Sequence, residues 1–260
     1  MRIRSVIKGL ILSAVLLVHA IAWGAHPLIT DDAGTQGKGN FQLEVSGQYN
    51  SDKETVAGVH IESTGAEVAT TLSYGIIENA DLVLSLPYQW GKGKEDGVTA
   101  YDEKGISDTT LEIKWRFFEK DGLSLALKPG VSIPTGNDEK GLGAGKTGYH
   151  IFLIGSKDIA PWAFHVNVGY IGNENKVDEE KNIWHASLAM TYEVIKNLKL
   201  VGNVGIERNP DKAADNDPAF FIGGVIYSLA ESFDIDCGVK YGLSSAETDW
   251  SLMAGMAFRF

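Results

Sequence analysis

The sequence has one cysteine, few prolines and, beyond its first 22 residues, no run of 18 apolar residues. A single cysteine, Cys237, excludes an intramolecular disulfide. The shortage of long apolar runs excludes a transmembrane helix in that part of the chain. No helical period of 3.6 residues stands out either. No Pro-rich or Ser-rich linker and no shift in composition marks a boundary, so we expect a single domain.

The first 25 residues have the composition of a signal peptide. Three cations among the first eight residues precede an apolar stretch, Gly9 to Ala22, and small residues near Ala25 offer a cleavage site. The stretch is too short to cross a bilayer as a helix, which needs about 20 residues. We therefore predict that residues 1–25 are a signal peptide and that the exported chain begins near His26.

Acidic residues outnumber basic ones, with 34 Asp and Glu against 23 Lys and Arg and a net charge of −11. Removal of the signal peptide makes the chain more acidic, because it takes away three cations and no anion. Such a chain repels a phosphate backbone, so we expect no nucleic-acid partner.

Alternation of apolar and polar residues dominates the rest of the sequence. Between Leu111 and Phe117, apolar side chains alternate with Glu112, Lys114 and Arg116, which is the period of a strand with one apolar face. Most such segments are longer than the usual globular strand of about 5–6 residues and suit a tilted membrane strand of about 9–11. Twelve segments share the pattern: 40–50, 63–75, 80–90, 106–118, 123–133, 147–157, 162–172, 182–194, 198–208, 219–229, 233–243 and 248–260.

The connections between these segments alternate in length. Those after odd-numbered segments are mostly long and polar, such as 91–105 and 134–146, whereas those after even-numbered segments are tight, such as 76–79. Short turns on one side, long loops on the other and an even strand number are typical of outer-membrane barrels, whose termini face the periplasm. The sequence therefore predicts an all-β fold over residues 26–260, a transmembrane antiparallel up-and-down β-barrel of about 12 strands in the bacterial outer membrane.

Charge decides which face of each strand points inward. A Lys or Arg on the lipid face near the midplane costs about 2–4 kcal/mol, so the charged faces must line the lumen. The candidate lumen-lining residues are Glu112, Lys114, Arg116, Lys128, His150, His165, His185, Asp236, Lys240 and Arg259. Outward aromatic residues gather near strand ends, where they anchor a barrel at the two interfaces. The expected partners of this outer surface are membrane lipid and lipopolysaccharide. The terminal aromatic Phe260 is expected to be the signal that the barrel-assembly machinery reads.

Several sequence segments resemble one known family, the outer-membrane family named for the MetA pathway of phenol degradation. They are the opening HPLITDDAGT at 26–35 with GNFQLE at 39–44, then LVLSLPY at 82–88, ISDTTLEIK at 106–114, KPGVSIPTG at 128–136 and GLGAG at 141–145. The resemblance implies a barrel assigned to uptake of small, often aromatic, hydrophobic compounds. Residues 26–39 precede the first strand, and we expect them in the periplasm. There the resemblance makes Asp31 and Asp32 candidates for a functional plug or gate, with a plain tether as the alternative.

Three motifs suggest other chemistry. Gly143 to Gly148 matches G-x-G-x-x-G but leads into a strand instead of a phosphate-binding helix, so we interpret it as a flexible outer loop. His150, His165 and His185 lie on consecutive strands, yet no paired metal-ligand spacing accompanies them, so we interpret them as polar lining without a metal. An acyl hydrolase needs a serine within hydrogen-bond reach of a histidine, which the period cannot test. We predict no catalytic residue, no enzyme activity and no cofactor.

Two functions fit these features. The first is an outer-membrane channel or diffusion facilitator for small hydrophobic or aromatic compounds, whose partner is a small-molecule solute. The second is a closed structural or interaction barrel without transport.

Overall fold

The computed structural model describes residues 26–56 and 58–260, and the predicted signal peptide at 1–25 lies outside them. The described residues form thirteen strands and one short 3-10 helix: β1 Phe41–Val56, β2 Val59–Ile77, β3 Ala80–Glu95, β4 Val98–Ile106, β5 Thr109–Lys120, β6 Leu123–Ile133, the 3-10 helix Asp138–Lys140, β7 Gly148–Ile159, β8 Trp162–Gly172, β9 Asn182–Ile195, β10 Leu198–Glu207, β11 Ala219–Ala230, β12 Phe233–Gly242 and β13 Trp250–Arg259. No helix in this described part is long and apolar enough to cross a membrane.

The strands form one antiparallel sheet that closes on itself. One edge of β3 pairs with β2, and its other edge pairs first with β5 and then with β4. Strands β4 and β5 are therefore two stacked pieces of one wall strand, interrupted at Ser107 and Asp108. Pairing of β1 with β13, where Gln42 lies opposite Arg259, closes the circle. Over the described residues the wall has 12 strands, which confirms the predicted up-and-down barrel.

Side chains alternate across the wall as the charge pattern requires. On β5, Ile113 and Trp115 are 47% and 46% exposed on the outer surface, whereas Glu112 and Lys114 are 1% and 8% exposed. A closed wall leaves no unpaired strand edge in hydrocarbon, where each unpaired backbone group costs several kcal/mol. The fold is that of a bacterial outer-membrane barrel with a polar lumen, and it confirms the predicted location.

Short turns and long loops lie at opposite ends of the barrel, which we call the inner end and the outer mouth. One predicted outer loop, residues 91–105, is instead a hairpin, because β3 and β4 continue into it. Its turn consists of Asp96 and Gly97, whose φ angles are 47° and 81°, as a two-residue type I′ turn requires. Strands β1 and β2 extend in the same way, so a small sheet of four strand extensions projects from the outer mouth.

The N-terminal segment, residues 26–40, runs from the inner end, where Lys38, Gly39 and Asn40 are exposed, into the barrel. We expected it in the periplasm, but Leu28, Thr30, Asp31 and Ala33 are buried, with at most 5% of each residue exposed. The segment reaches further in than the periplasmic mouth because it finds hydrogen-bond and ionic partners on the lumen wall, which replace the water that it would contact outside. Its path sets the geometry of the lumen.

Candidate functional site

The N-terminal segment enters the lumen at the inner end. There its backbone passes so close to β2 that a Cβ on Gly75 would lie 1.8 Å from the carbonyl oxygen of Gly37. Gly37 itself has a φ of 79°, a left-handed conformation that glycine adopts without strain. Further in, the backbone amide of Gln36 donates to the Asp81 carboxylate at 3.0 Å. The absence of a side chain at Gly75 lets the segment pass close to β2. The hydrogen bond to Asp81 then fixes the position of its backbone at Gln36.

Five side chains form what we call the central cluster: Asp31, Glu112, Lys114, Lys128 and His150. The Asp31 carboxylate accepts from the Lys114 ammonium at 2.9 Å and lies 3.2 Å from the ammonium of Lys128. Lys128 also lies 3.0 Å from Glu112, which His150 contacts at 2.8 Å. Each of these side chains is at least nine-tenths buried. Because a buried charge is costly unless it is paired, the cluster binds Asp31 of the segment to the wall.

Asp32 lies beside the central cluster, with its carboxylate 3.7 Å from the Lys114 ammonium. The positive charge of Lys114 lowers the pKa of Asp32 to about 2, so this carboxylate is ionised at neutral pH. The same Asp32 oxygen accepts the backbone amide of Gly34 at 2.6 Å, which shapes a turn of the kind that Asp favours. Both aspartates named from the sequence therefore face one wall lysine.

Uncharged side chains of the wall form hydrogen bonds with the backbone of the segment. The Asn203 carboxamide oxygen accepts the backbone amides of Ile29 and Thr30 at 2.8 and 3.1 Å, and its nitrogen donates to the Thr30 hydroxyl at 2.6 Å. The Ser156 hydroxyl accepts the amide of Ala33 at 2.8 Å. Buried backbone groups need such partners, so the segment is specifically bound along its length.

The three lumenal histidines are not brought together. The Phe152 ring lies between His150 and His185, with its centroid 5.8 Å from each imidazole. His165 lies apart from both and contacts the Ser156 hydroxyl at 2.9 Å. Within the described residues, no group of three potential metal ligands lies close enough to hold an ion. Each histidine has its own hydrogen-bond partner on the wall.

Two serines do lie within hydrogen-bond distance of a histidine. Ser156 contacts His165, as above, and the Ser187 hydroxyl lies 3.0 Å from Nε2 of His185, whose Nδ1 lies 3.0 Å from Glu207. Hydrogen bonding alone therefore does not dismiss acyl-transfer chemistry. A nucleophilic serine also needs space for an acyl group, and Ser187 is only 6% exposed.

Four further predicted lumen residues lie outside the central cluster, and each contacts an ionisable side chain. These pairs are Arg116 with Glu119, Asp236 with His26, Lys240 with Glu247, and Arg259 with Asp234. The pair between His26 and Asp236 holds the beginning of the described segment against β12. The remaining pairs join residues of the wall and its loops to each other and include no residue of the segment.

Sequence reasoning did not single out Asn203, Ser156 or Asn167 as anchors. Asn167 contacts the backbone of Asp31 with both ends of its carboxamide. With the nitrogen facing the Asp31 carbonyl, it donates to that oxygen at 2.9 Å, and its own oxygen accepts the Asp31 amide at 2.7 Å. All three are polar residues at buried positions of the wall strands. A carboxamide can accept from a peptide amide and donate to a peptide carbonyl at the same time. An inward asparagine was therefore the feature of the sequence that could have indicated a bound backbone segment.

Comparison with known proteins agrees with this architecture. The COG4313 outer membrane channel from Pseudomonas putida F1 is similar, with 15% identity and a TM-score of 0.66 over 94% of this chain and 100% of that one. The NanC porin shares 12% identity and a TM-score of 0.54 over 83% of this chain and 98% of its own. The KdgM porin shares 9% identity and a TM-score of 0.52 over 84% and 99%. At these identities the likeness concerns the fold alone.

The family relationship extends over nearly all of the described chain. No curated protein matches the sequence. Residues 30–260 match the family described as "Putative MetA-pathway of phenol degradation". This match confirms the resemblance first read from the opening motif, and the chain belongs to that family.

Proposed function

We propose that this barrel is an outer-membrane channel or diffusion facilitator for small hydrophobic or aromatic compounds, with its N-terminal segment as a plug. The observation that carries the proposal is that non-covalent contacts with the wall hold that segment inside the lumen. Asp31 joins the central cluster, and Asn203 holds the adjacent backbone. Contacts of this kind can break and re-form, so the plug restricts the path without sealing it permanently.

A plugged lumen favours selective passage over general diffusion. An open porin of 16–18 strands leaves an aqueous channel, whereas this wall has about 12 strands, and the segment also occupies its inner half. The similar solved structures are named as a channel and a porin, and the family is named for phenol degradation. The structure names support a channel, and the family name supports small aromatic compounds as its solutes.

The alternative, a closed structural or interaction barrel, draws on the same central cluster. A lumen filled by buried ion pairs such as Lys128 with Glu112 is compatible with a barrel that never conducts. In both alternatives the outer surface would contact lipid and lipopolysaccharide, and removal of residues 1–25 would precede assembly. Transport therefore has to be measured.

The test compares the mature protein with a variant that lacks residues 26–38. Every wall strand remains in that variant, because β1 begins at Phe41. Planar-bilayer recordings should give small conductance steps for the wild type and steps several times larger for the truncated barrel. A control lacking residues 211–215 of an outer loop should conduct like the wild type, and heat-modifiable migration on gels verifies that each barrel is folded.

Uptake is tested in cells and vesicles. A strain without the protein should take up a small aromatic compound more slowly, and the wild-type protein should restore the rate. If neither the wild type nor the truncated barrel conducts and the deletion strain shows no uptake deficit, transport is wrong and the closed barrel stands.

A further inference from the structure

The small sheet that projects from the outer mouth has one face on the outside of the barrel. Trp90 of β3 is 43% exposed on the lipid-facing surface. Side chains alternate between the two faces of a strand, so Lys92 and Lys94 continue the outward row of Trp90, while the two glycines between them are buried. The outer face of this sheet therefore continues the membrane surface of the barrel.

This outer face carries four lysines, which the strand register brings together. Lys104 of β4 lies opposite Trp90 of β3, and Lys92 lies in the next row outward. One row further out, a lysine of β1 and a lysine of β3 lie on either side of Glu62 of β2. We call these four side chains the outer lysine patch: Lys53, Lys92, Lys94 and Lys104.

The outer lysine patch has more cations than its neighbouring carboxylates can neutralise. Lys53 pairs with Glu62 at 2.9 Å, and Lys92 pairs with Asp102 at 3.0 Å. Among the described residues, no carboxylate forms an ion pair with either of the other two lysines of the patch. Four ammonium groups thus share two carboxylates on one face of the sheet, and positive charge is in excess there.

An excess of positive charge stands out in this chain, whose net charge is −11. Lysines in the loops on the opposite side of the barrel have carboxylate partners: Lys176 pairs with Asp138, Lys181 with Glu174, and Lys212 with Asp178. An acidic barrel is repelled by an anionic membrane surface, whereas a local cluster of lysines is attracted to one. The outer lysine patch is therefore suited to an anionic partner.

The depth of the patch identifies that partner. Trp90 belongs to the outer aromatic girdle, whose rings lie at the level of the lipid headgroups. Lys104 lies in the same row as Trp90. At a rise of about 3.3 Å per residue, Lys92 lies about 7 Å further along the strand, and the headgroup layer is itself about 5–8 Å thick. The ammonium groups therefore reach the phosphate groups of the outer leaflet.

We propose that the outer lysine patch binds the phosphate groups of lipopolysaccharide. A lysine ammonium is a point charge that binds phosphate, and the aromatic girdle directly below the patch contacts the acyl chains of the same lipid. The site lies on the outside of the barrel, and its lysines do not face the lumen. It is therefore independent of the proposed transport.

Native mass spectrometry of the mature barrel in detergent tests the site, because it counts the lipopolysaccharide molecules bound at each concentration. The triple variant Lys92→Gln, Lys94→Gln and Lys104→Gln should bind lipopolysaccharide at least about tenfold more weakly, since each lysine near an anionic membrane surface contributes about fivefold in affinity. Arginine at the same three positions keeps the charge and should preserve binding. Lipopolysaccharide stripped of its phosphates should bind the wild type and the glutamine variant equally.

The matched control changes three loop lysines on the opposite side of the barrel: Lys176→Gln, Lys181→Gln and Lys212→Gln. It alters the net charge by the same amount and should bind lipopolysaccharide like the wild type. Heat-modifiable migration on gels verifies that each variant is folded. The glutamine variant of the patch should conduct like the wild type in planar bilayers, which separates this site from the channel.

Equal affinity of the wild type and the glutamine variant of the patch for intact lipopolysaccharide would overturn the proposal. An equal loss of affinity in the loop control would also overturn it, because net charge would then explain the effect. Phosphatidylglycerol is the second probe. If it binds as tightly as lipopolysaccharide and depends equally on the three lysines, the patch recognises any anionic lipid and the assignment to lipopolysaccharide is wrong.

Discussion

Lys128 is a buried cation that contacts two carboxylates of the central cluster. Its side chain is 2% exposed, and its ammonium lies within 3.2 Å of carboxylates from Asp31 and Glu112. Taking an ammonium out of water costs several kcal/mol, so its charge is tolerable only with both partners in place. The residue therefore links the wall to the segment that fills it.

We expect Lys128→Met to destabilise the barrel by about 3–5 kcal/mol, because it leaves two buried carboxylates without their shared cation. The segment should be bound less tightly, so larger conductance steps should accompany the change. Denaturant unfolding followed by tryptophan fluorescence measures the first effect, and bilayer recording the second.

The matched control is Lys53→Met, which removes an exposed pair with Glu62 on the outer hairpin. That variant should leave the free energy of unfolding nearly unchanged, because exposed ion pairs contribute little to stability. A Lys128→Met barrel that unfolds and conducts like this control would show that the central cluster does not hold the segment.

The inward direction of these charges followed from the sequence, but their partners did not. Burial of Glu112 and Lys114 inside the barrel was required by the cost of a charge in lipid. The pairing of Lys114 with Asp31 joins residues 83 positions apart in the chain. No local sequence pattern predicts a contact between residues so far apart in the chain. The contact depends on where the segment enters the barrel and how the barrel curves.

At the scale of strands, the inner halves were predictable and the outer extensions were not. Within the membrane one face must be apolar, so alternation marks each strand clearly. Beyond the membrane neither face of β3 and β4 has to be apolar, and residues 91–105 lose the regular apolar half of the pattern. The Asp96-Gly97 pair, a strong hairpin signal, was the remaining indication that the polar stretch is a strand pair.

The last wall strand ends on an aromatic residue at the seam of the barrel. The backbone amide of Phe260 donates to the Phe41 carbonyl at 3.0 Å, and the amide of Phe41 donates back at 2.7 Å. The two rings are stacked with centroids 5.6 Å apart, and Phe260 is 70% exposed. Its ring is thus accessible, while its backbone helps to close the barrel.

Deletion of Phe260 should lower the amount of barrel in the outer membrane several-fold, because it removes both the terminal ring and two closing hydrogen bonds. Phe260→Ala keeps the backbone, so a similar loss there would assign the effect to the ring. Phe260→Tyr keeps an aromatic terminus and should insert normally. Quantitative blotting of membrane fractions measures the levels, and single-channel conductance should be the same for every molecule that inserts. Unchanged levels after the deletion would contradict a role for this residue in assembly.

For the whole molecule, the bilayer explains why the barrel could be predicted and the plug could not. The wall strands of a barrel in hydrocarbon must alternate apolar and polar residues, and the wall must close so that every backbone group is paired. These requirements apply to every strand, so the same pattern recurs along the sequence. Residues 26–40 obey no such repeat. Their ordering depends on individual contacts with distant strands, such as Thr30 with Asn203, and only the family resemblance suggested a plug.

The segment also changes the charge of the lumen around the central cluster. Asp31 and Asp32 add two negative charges beside Lys114 and Lys128. Acidic residues also outnumber basic ones in the chain as a whole. Ions that pass the segment therefore travel through a field that favours cations.

Removing residues 26–38 should consequently reduce cation selectivity as well as raise conductance, because Lys114 and Lys128 lose two facing carboxylates. The reversal potential across a KCl gradient measures this change in planar bilayers. Adding Lys128→Gln to the truncated barrel should shift the reversal potential back toward cation preference, since it removes one exposed ammonium without restoring the obstruction. If the reversal potential of the truncated barrel equals that of the wild type, the ions take a path that avoids the central cluster, and the segment controls the size of the lumen but not its charge.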